Sequence, residues 1–309
     1  MNASHSKRTI FVAGATGVLG RRAVAQLVEA GHTVTGVART GEKAGQLRAV
    51  GVAPVGVDLF DPAAVKAAVD GHDVVVNLAT HIPPMSRAAL PGAWSENNRI
   101  RAEASANLVD AALAAGAGRY LQESIAFMYP DSGDGWLDED TPLDPPKLGE
   151  SVLVAEGQAQ RFTASGGVGV VLRFGQFYAP EAVHTVAMVK AARKRIAPAL
   201  GPKEGYLATI AADDAAAAVV AALDAPAGTY NVVDDEPMTR ETFAEAVARA
   251  LGTKPPRTLP AALARLGGEN GRFYVRSQRV SNRRFKEATG WTPRYPTAAD
   301  GWAAMAPDL

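Results

Sequence analysis

The 309-residue sequence contains no cysteine, and this absence excludes several kinds of chemistry. Without cysteine there is no disulfide, no thiolate nucleophile, no iron–sulfur cluster and no cysteine zinc site. An excess of one charge is also missing, because 32 basic side chains are balanced by 32 acidic ones. Proteins that bind nucleic acid or an anionic membrane through broad electrostatic attraction normally carry a basic excess. We therefore expect neither kind of partner.

Long apolar segments are absent too. Residues 1–8 are polar and lack the apolar core of a secretory signal, so we expect a disordered tail there. The most apolar later stretch, residues 211–223, contains Asp213 and Asp214 and is shorter than the roughly 20 residues that span a bilayer. The overall composition, 47% hydrophobic and 21% charged, is typical of a globular protein. We expect a cytoplasmic protein.

Strand-like apolar runs alternate with alanine-rich helical patterns through the first half of the chain. This alternation is typical of repeated βαβ units. The predicted strands are residues 9–13, 33–38, 53–57, 73–78, 119–123 and 168–174. The predicted helices are residues 18–30, 42–50, 63–69, 96–115 and 151–164. The sequence therefore predicts an α/β fold built on a Rossmann, doubly wound parallel sheet.

The pattern changes after residue 174, where shorter segments are separated by prolines. We predict that residues 9–175 form a dinucleotide-binding domain and that residues 176–309 form mainly a smaller substrate lobe. Within the second half, residues 207–232 contain one apolar helix and one apolar strand. We expect this segment to return to the main sheet.

A glycine-rich loop, Gly-Ala-Thr-Gly-Val-Leu-Gly at residues 14–20, follows the first predicted strand and opens the first helix. Glycines at this spacing let the backbone turn tightly and approach a pyrophosphate, which then meets the amide groups of a helix N-terminus. In this context the loop predicts a dinucleotide cofactor. The residues predicted to contact it are Gly14, Thr16, Gly17, Val18, Leu19 and Gly20.

The end of the second strand indicates which dinucleotide is preferred. An acidic residue there accepts the ribose hydroxyls of NAD, whereas a cation suits the 2′-phosphate of NADP. The chain has Arg39 and no carboxylate at this point, so we predict NADP, with NAD as the alternative. Asp58 and Leu59 are predicted to lie beside the adenine, although Asp58 could instead cap the helix that starts near Asp61.

Further segments resemble the extended and atypical short-chain dehydrogenase/reductases, the group that includes NAD-dependent epimerase/dehydratase proteins. Besides the glycine loop they are residues 77–80 (Asn-Leu-Ala-Thr), 119–124 (Arg-Tyr-Leu-Gln-Glu-Ser), 172–175 (Leu-Arg-Phe-Gly) and 177–180 (Phe-Tyr-Ala-Pro). The resemblance covers nearly the whole chain. It is specific to the fold and much less specific to a reaction.

This resemblance implies additional site residues. Further cofactor contacts are expected from Leu78, Ala79, Thr80, Phe174 and Tyr178. Substrate contacts are expected from Met85, Phe127, Phe177, His184 and Tyr206. The resemblance also implies a homodimer formed through the helices at residues 96–115 and 151–164.

The family's usual catalytic pair, Tyr-x-x-x-Lys, is missing from this chain. In that pair the lysine ammonium lowers the pKa of the tyrosine, which exchanges a proton while hydride moves. Counting back from Glu156, which resembles the family's helix glutamate, places Leu148 and Val152 at the two positions. Between Tyr129 and Tyr178 the sequence has no tyrosine at all. Any proton transfer must therefore use other groups.

Three residues are candidates for the catalytic roles. Ser124 ends the fifth predicted strand, where open α/β sheets place their ligands, and we predict that it contacts substrate. Tyr129 and His81 are the predicted proton donors, because one follows the fifth strand and the other follows the fourth. The alternatives are a serine bonded to backbone, a tyrosine that lines the pocket and a solvated histidine. No metal is predicted, because the histidines lack ligand spacing.

These observations lead to a predicted NADP(H)-dependent oxidoreductase that acts on a small carbonyl or hydroxyl compound with a non-standard proton donor. One alternative is a redox-neutral epimerase, dehydratase or lyase that retains its cofactor. Another is a non-catalytic NADP-binding sensor. We favour the enzyme, because Ser124, Tyr129, His81 and Tyr178 still offer polar groups at the predicted site.

Overall fold

The computed structural model of the chain describes residues 6–83, 90, 92–146, 149–199, 201–256 and 275–309. These residues divide into two compact units. The first unit comprises the described residues up to Ser124, with Ser151–Leu172 and Ala216–Thr229. The second comprises Ile125–Glu150, Arg173–Ala215 and Tyr230–Leu309. The functional division into a cofactor domain and a substrate lobe stays a prediction.

The fold contains a seven-stranded sheet, most of whose residues belong to the first unit. Its strands are β1 (Thr9–Ala13), β2 (Thr33–Val37), β3 (Ala53–Val55), β4 (Val74–Asn77), β5 (Arg119–Ile125), β7 (Val168–Phe174) and β11 (Gly228–Val232). Their spatial order is β11, β7, β5, β4, β1, β2, β3, and the pairs from β3 through β5 are parallel. The predicted doubly wound α/β fold is confirmed. The order reverses between β1 and β4, whose carboxyl ends therefore flank the crevice where such sheets bind ligands.

Helices connect these strands. They are α1 (Val18–Glu29), α2 (Gly41–Ala49), α3 (Pro62–Val69), α4 (Ser95–Arg99), α5 (Ser105–Ala114), α6 (Glu150–Ala164) and α8 (Ala212–Ala221). On one side of the sheet, Phe11, Val75 and Tyr120 pack into a buried cluster with Leu108 of α5 and Phe162 of α6. This apolar layer packs α5 and α6 against the sheet.

The predicted helix at residues 96–115 is divided into three parts. Between α4 and α5 lies a π-helical turn, Ile100–Ala104, which widens the helix by one residue per turn. The Ser105 hydroxyl donates a hydrogen bond to the Arg101 carbonyl at this turn. Turns of this kind are frequent at functional sites, and here the turn includes the buried Arg101 side chain.

The third strand is shorter than predicted, ending at Val55 instead of residue 57. Among the described residues β3 is an edge strand paired with β2, and that pairing stops where Val37 meets Val55. The other predicted strands and helices agree with the structure within one or two residues.

The second unit is built from short strands and helices. They are β6 (Trp136–Leu137), β8 (Gln176–Tyr178), α7 (Val183–Arg193), β9 (Tyr206–Leu207), β10 (Thr209–Ala211), β12 (Met238–Thr239), α9 (Arg240–Ala250), β13 (Arg279–Val280), α10 (Arg283–Thr289) and α11 (Ala298–Met305). Its main core contains Tyr178, Phe243 and Trp302. In the described part of the chain, no helix is both long and apolar enough to cross a membrane.

Candidate functional site

The glycine loop turns directly from β1 into α1. Gly14 has a φ of +78°, a backbone conformation that side-chain-bearing residues rarely adopt. The Gly17 amide donates to the Gly14 carbonyl at 3.1 Å, and Gly17 is the N-cap of α1. Because Gly17 has no side chain, it cannot cap the first turn of the helix. The amide groups of that turn therefore suit an external anion.

The three loop glycines differ in their surroundings. A Cβ at Gly14 would meet the backbone carbonyl of Leu78, and one at Gly20 would overlap the Gly14 carbonyl. A Cβ at Gly17 would have only an ordinary contact, 3.4 Å from the Gly14 oxygen. Protein packing thus explains two glycines, whereas the exposed Gly17 is explained by a ligand that approaches the backbone. The loop fits a dinucleotide pyrophosphate.

The segment after β4 forms the next part of this edge. The Asn77 amide donates to Gln122 on β5 at 3.0 Å, and its oxygen accepts from the Ala79 amide at 3.1 Å. Leu78 donates its backbone N–H to Ala13, the last residue of β1. These bonds fix Leu78 and Ala79 beside the glycine loop, and Thr80 follows as an exposed residue.

The residues predicted to contact the adenosine lie around the ends of β2 and β3. Arg39 is 69% exposed, with Nη1 3.9 Å from Glu96. Asp61, not Asp58, caps α3, because its carboxylate accepts from Ala63 and Ala64. Asp58 instead accepts from the Phe60 amide at 3.0 Å. The Leu59 carbonyl accepts from Asn107 at 2.9 Å.

Ser124 is fully buried at the end of β5, and its hydroxyl donates to Glu156 of α6 at 2.6 Å. The short distance is typical of a hydrogen bond to a carboxylate. The serine proton is therefore already donated within the protein, and the hydroxyl oxygen is left with acceptor capacity. Whether Ser124 contacts substrate stays a prediction.

A buried ion pair beside Ser124 was not predicted from the sequence. Nη2 of Arg101 donates to both carboxylate oxygens of Glu123 at 3.1 and 3.2 Å. Burial raises the pKa of Glu123, the nearby Arg101 lowers it, and the charge of Glu156 raises it further. Nε and Nη1 of Arg101 have no hydrogen-bond partner among the described residues. No local signal in the sequence marks this pair, because Arg101 lies between the charged residues Arg99 and Glu103.

His81 lies in the first unit, as Ser124 does. Its backbone N–H donates to the Asn97 side chain at 2.9 Å, and its Nε2 lies 3.6 Å from Glu96. The imidazole is 45% exposed. Neither Glu96 nor Asn97 was selected by the sequence analysis, because nothing in the sequence places α4 beside the loop after β4.

Tyr129 lies in the second unit and is fully buried. Its hydroxyl donates to Asn231 at 2.9 Å and accepts from Arg173 at 2.9 Å. Burial raises the pKa of the phenol, which the Arg173 charge lowers in part. The proton of Tyr129 is therefore donated to Asn231, and its role as a donor to substrate stays a prediction.

The other predicted contact residues of the second unit lie in several local settings. Tyr178 is buried against Trp302, and burial raises its pKa well above the ordinary value. The rings of Phe174 and Phe177 are 5.3 Å apart. His184 bonds the Phe177 carbonyl, and burial lowers its pKa.

Three predicted substrate residues remain. The Phe127 carbonyl accepts from Gln278 at 3.2 Å. Arg279 lies over the ring of Tyr206 at 4.9 Å. Met85 lies outside the described residues. None of these placements tests a substrate role, which stays a prediction for all three.

Of the two positions assigned to the missing catalytic pair, the structure describes Val152. Val152 is buried in α6, one helical turn before Glu156, and brings no charge to the site. Leu148 lies outside the described residues. A buried cation, Arg101, pairs with Glu123, the residue before Ser124.

Comparison with known proteins gives the family. The model of the NAD dependent epimerase/dehydratase family matches residues 10–233. A relative from Streptomyces sp, named 3-diazoavenalumate denitrifying reductase, is 38% identical over 305 residues, covering 94% of this chain and 98% of the relative. A 2-alkyl-3-oxoalkanoate reductase of Shewanella oneidensis is 28% identical over 269 residues, covering 79% of this chain and 66% of that protein.

Solved structures agree on the fold. The human epimerase family protein SDR39U1 (isoform2), solved with NADPH, superposes with a TM-score of 0.78 at 22% sequence identity. The superposition covers 97% of this chain and 100% of that chain. At this identity the likeness establishes the architecture alone.

Proposed function

We propose that this chain, which belongs to the NAD-dependent epimerase/dehydratase family, is an NADP(H)-dependent reductase of a small organic acceptor. The observation that supports it most is Gly17, an exposed glycine with room for a side chain in a loop whose other glycines are required by packing. Reduction, as opposed to a redox-neutral reaction, is supported by the two relatives that are named reductases.

The cofactor would be held by this chain's own groups. The first-turn amides of α1 receive the pyrophosphate, and the backbone at Leu78 and Ala79 bounds the same edge. Arg39 is the residue proposed for the 2′-phosphate, because its guanidinium is exposed and can bind a phosphate through two N–H groups. The chemistry that NADPH supplies when bound is a hydride.

The group that accepts the hydride must suit a chain that lacks the family's catalytic Tyr-x-x-x-Lys pair. A carbonyl that gains a hydride needs a proton at its oxygen, and here Ser124 donates its proton to Glu156. An arenediazonium ion needs no such proton, because the hydride replaces dinitrogen and the carbon product is neutral. We therefore propose a diazo-type group as the acceptor, in line with the name of the Streptomyces relative.

Ser124 and its neighbours would then orient the acceptor without acting as an acid. The Ser124 oxygen is held by Glu156, so it presents lone pairs only. Beside it, the Glu123 carboxylate is paired with the Arg101 guanidinium, and the Glu156 carboxylate accepts the serine hydroxyl. Carboxylates this close to the acceptor would suit a cationic acceptor better than an anionic transition state.

Matched probes test this function. The purified chain is mixed with NADPH and either 4-diazobenzoate or 4-formylbenzoate, which differ only in the accepting group. Oxidation of NADPH is followed by its near-ultraviolet absorbance, with reactions lacking protein as controls. We expect turnover with the diazonium probe and little with the aldehyde.

The other outcomes identify the alternatives. Turnover of the aldehyde alone would support a carbonyl reductase that uses Tyr129 or His81 as the donor. Tight NADPH binding without oxidation by either probe would support a redox-neutral enzyme or a sensor. The cytoplasmic location and the homodimer stay predictions.

A further inference from the structure

Glu96 lies between the side chains of Arg39 and His81, at the edge of the sheet where the cofactor is proposed to bind. Its Oε1 is 3.9 Å from Nη1 of Arg39, and its Oε2 is 3.6 Å from Nε2 of His81. Arg39 is 69% exposed, His81 45% and Glu96 47%, so a ligand from solvent can reach all three side chains. None of the roles assigned above uses Glu96.

The order of the strands shows which part of the sheet lies between Arg39 and His81. Arg39 follows β2 and His81 follows β4, while β1 lies between those two strands. The carboxyl end of β1 leads directly into the glycine loop. A side chain that approaches both Arg39 and His81 therefore crosses the edge of the sheet above the predicted pyrophosphate site.

The backbone around Glu96 is anchored, so the carboxylate is presented at a defined place. The adjacent residue, Asn97, is buried and accepts the backbone N–H of His81 at 2.9 Å. This bond fixes the start of α4 to the loop after β4. The Glu96 side chain, by contrast, keeps its own freedom because it is half exposed and its two ion pairs are long.

We propose that Glu96 is a determinant of cofactor specificity that opposes the NADP preference given by Arg39. The inference rests on the proposed function, because it requires a dinucleotide on the glycine loop. A 2′-phosphate at Arg39 would meet the negative charge of Glu96, which competes for the same guanidinium. A free 2′-hydroxyl could instead donate to that carboxylate, as it does to the acidic residue of NAD-specific sites.

Substitution of Glu96 tests this role against a matched control. Glu96→Gln removes the charge and keeps the shape, while Glu103→Gln removes a charge from an exposed residue paired with Arg99 on the same helical segment. Calorimetry measures NADPH and NADH affinity for each variant. We expect Glu96→Gln to bind NADPH about three- to tenfold more tightly and NADH no more tightly, with the gain reduced at high salt. Glu103→Gln should change neither affinity.

The same substitution in the Arg39→Ala variant tests whether Glu96 acts by competing for the Arg39 guanidinium. In Arg39→Ala, the additional change Glu96→Gln should give a much smaller gain for NADPH, because the shared guanidinium is absent. The specificity role is overturned if Glu96→Gln matches Glu103→Gln, or if it strengthens NADH and NADPH equally. A full gain in the Arg39→Ala background would overturn competition at the guanidinium. If the unmodified chain binds neither dinucleotide, the proposed function fails and this inference fails with it.

Discussion

The glycine loop and the end of β5 lie on the same edge of one sheet, yet they are built in opposite ways. The loop is backbone, and its glycines are constrained by contacts within residues 14–20 and by the close approach of the Leu78 and Ala79 backbone to Gly14. The end of β5 is a buried cluster of side chains from three elements: Arg101, Glu123, Ser124 and Glu156. The first could be predicted from local sequence, whereas the second required the structure.

The difference also separates two kinds of function. A backbone site binds any ligand with the right phosphate geometry and is sensitive to added volume. A buried charged cluster is sensitive to the loss of one partner, because the remaining charge has no solvent to stabilise it. The following variants test this contrast, starting with the largest expected effect.

Glu123→Ala should have the largest effect on the end of β5. Without Glu123, the guanidinium of Arg101 stays buried without its carboxylate, which costs about 3 to 5 kcal/mol in the free energy of unfolding. Urea denaturation measures this change. Glu103→Ala, which breaks the exposed pair with Arg99, should cost about 1 kcal/mol or less. Equal costs for the two variants would contradict the buried pairing.

Gly17→Val should act on binding and leave the fold intact. Its side chain meets little protein but occupies the space that the pyrophosphate needs, so NADPH affinity should fall by about 100-fold or more, or about 2.8 kcal/mol. Gly20→Val is the contrasting variant, because its Cβ overlaps the Gly14 carbonyl and should destabilise the fold. Unchanged NADPH affinity in a folded Gly17→Val variant would show that the loop does not hold the cofactor.

Arg39→Ala should separate the two dinucleotides. A charge-assisted contact with the 2′-phosphate contributes roughly 1.5 to 3 kcal/mol, so the variant should lose at least about tenfold in NADPH affinity. NADH affinity should change little, because NADH has no 2′-phosphate. Calorimetry on both cofactors provides the comparison. The assignment is wrong if the unmodified chain binds NADH more tightly than NADPH.

Glu156→Gln should give the smallest change, in the pH dependence of stability. The pKa of Glu123 is raised above its ordinary 4.5, so the folded chain retains this proton more tightly than the unfolded chain. The stability from Glu123 is present below about pH 4.5 and is lost as pH rises through the raised pKa.

Removing the Glu156 charge lowers the pKa of Glu123. The pH range between the ordinary pKa of a glutamate and the raised pKa of Glu123 therefore becomes narrower. The loss of stability that Glu123 causes between acid and neutral pH should therefore shrink in Glu156→Gln. Urea titrations at several pH values measure this change. An unchanged pH profile would show that the two carboxylates are not electrostatically coupled.

Most of the fold could be predicted from sequence, because strands buried on both faces and glycine-capped helices leave local signals. The doubly wound sheet and the placement of the glycine loop follow from those signals. Other features depend on distant partners. Asn97 fixes the loop after β4 from sixteen residues away in sequence, and Glu156 reaches Ser124 from the next helix. No local pattern encodes such pairs, and the same is true of Arg101 with Glu123.

The most direct test of the account is hydride transfer itself. NADPH deuterated on either face of the nicotinamide C4 is incubated with the chain and 4-diazobenzoate, and the benzoate product is examined by mass spectrometry and NMR. We predict one deuterium at the carbon that carried the diazonium group, from one face only, and none with Gly17→Val. Tight NADPH binding with no deuterium transferred to this probe or to 4-formylbenzoate would contradict a reductase.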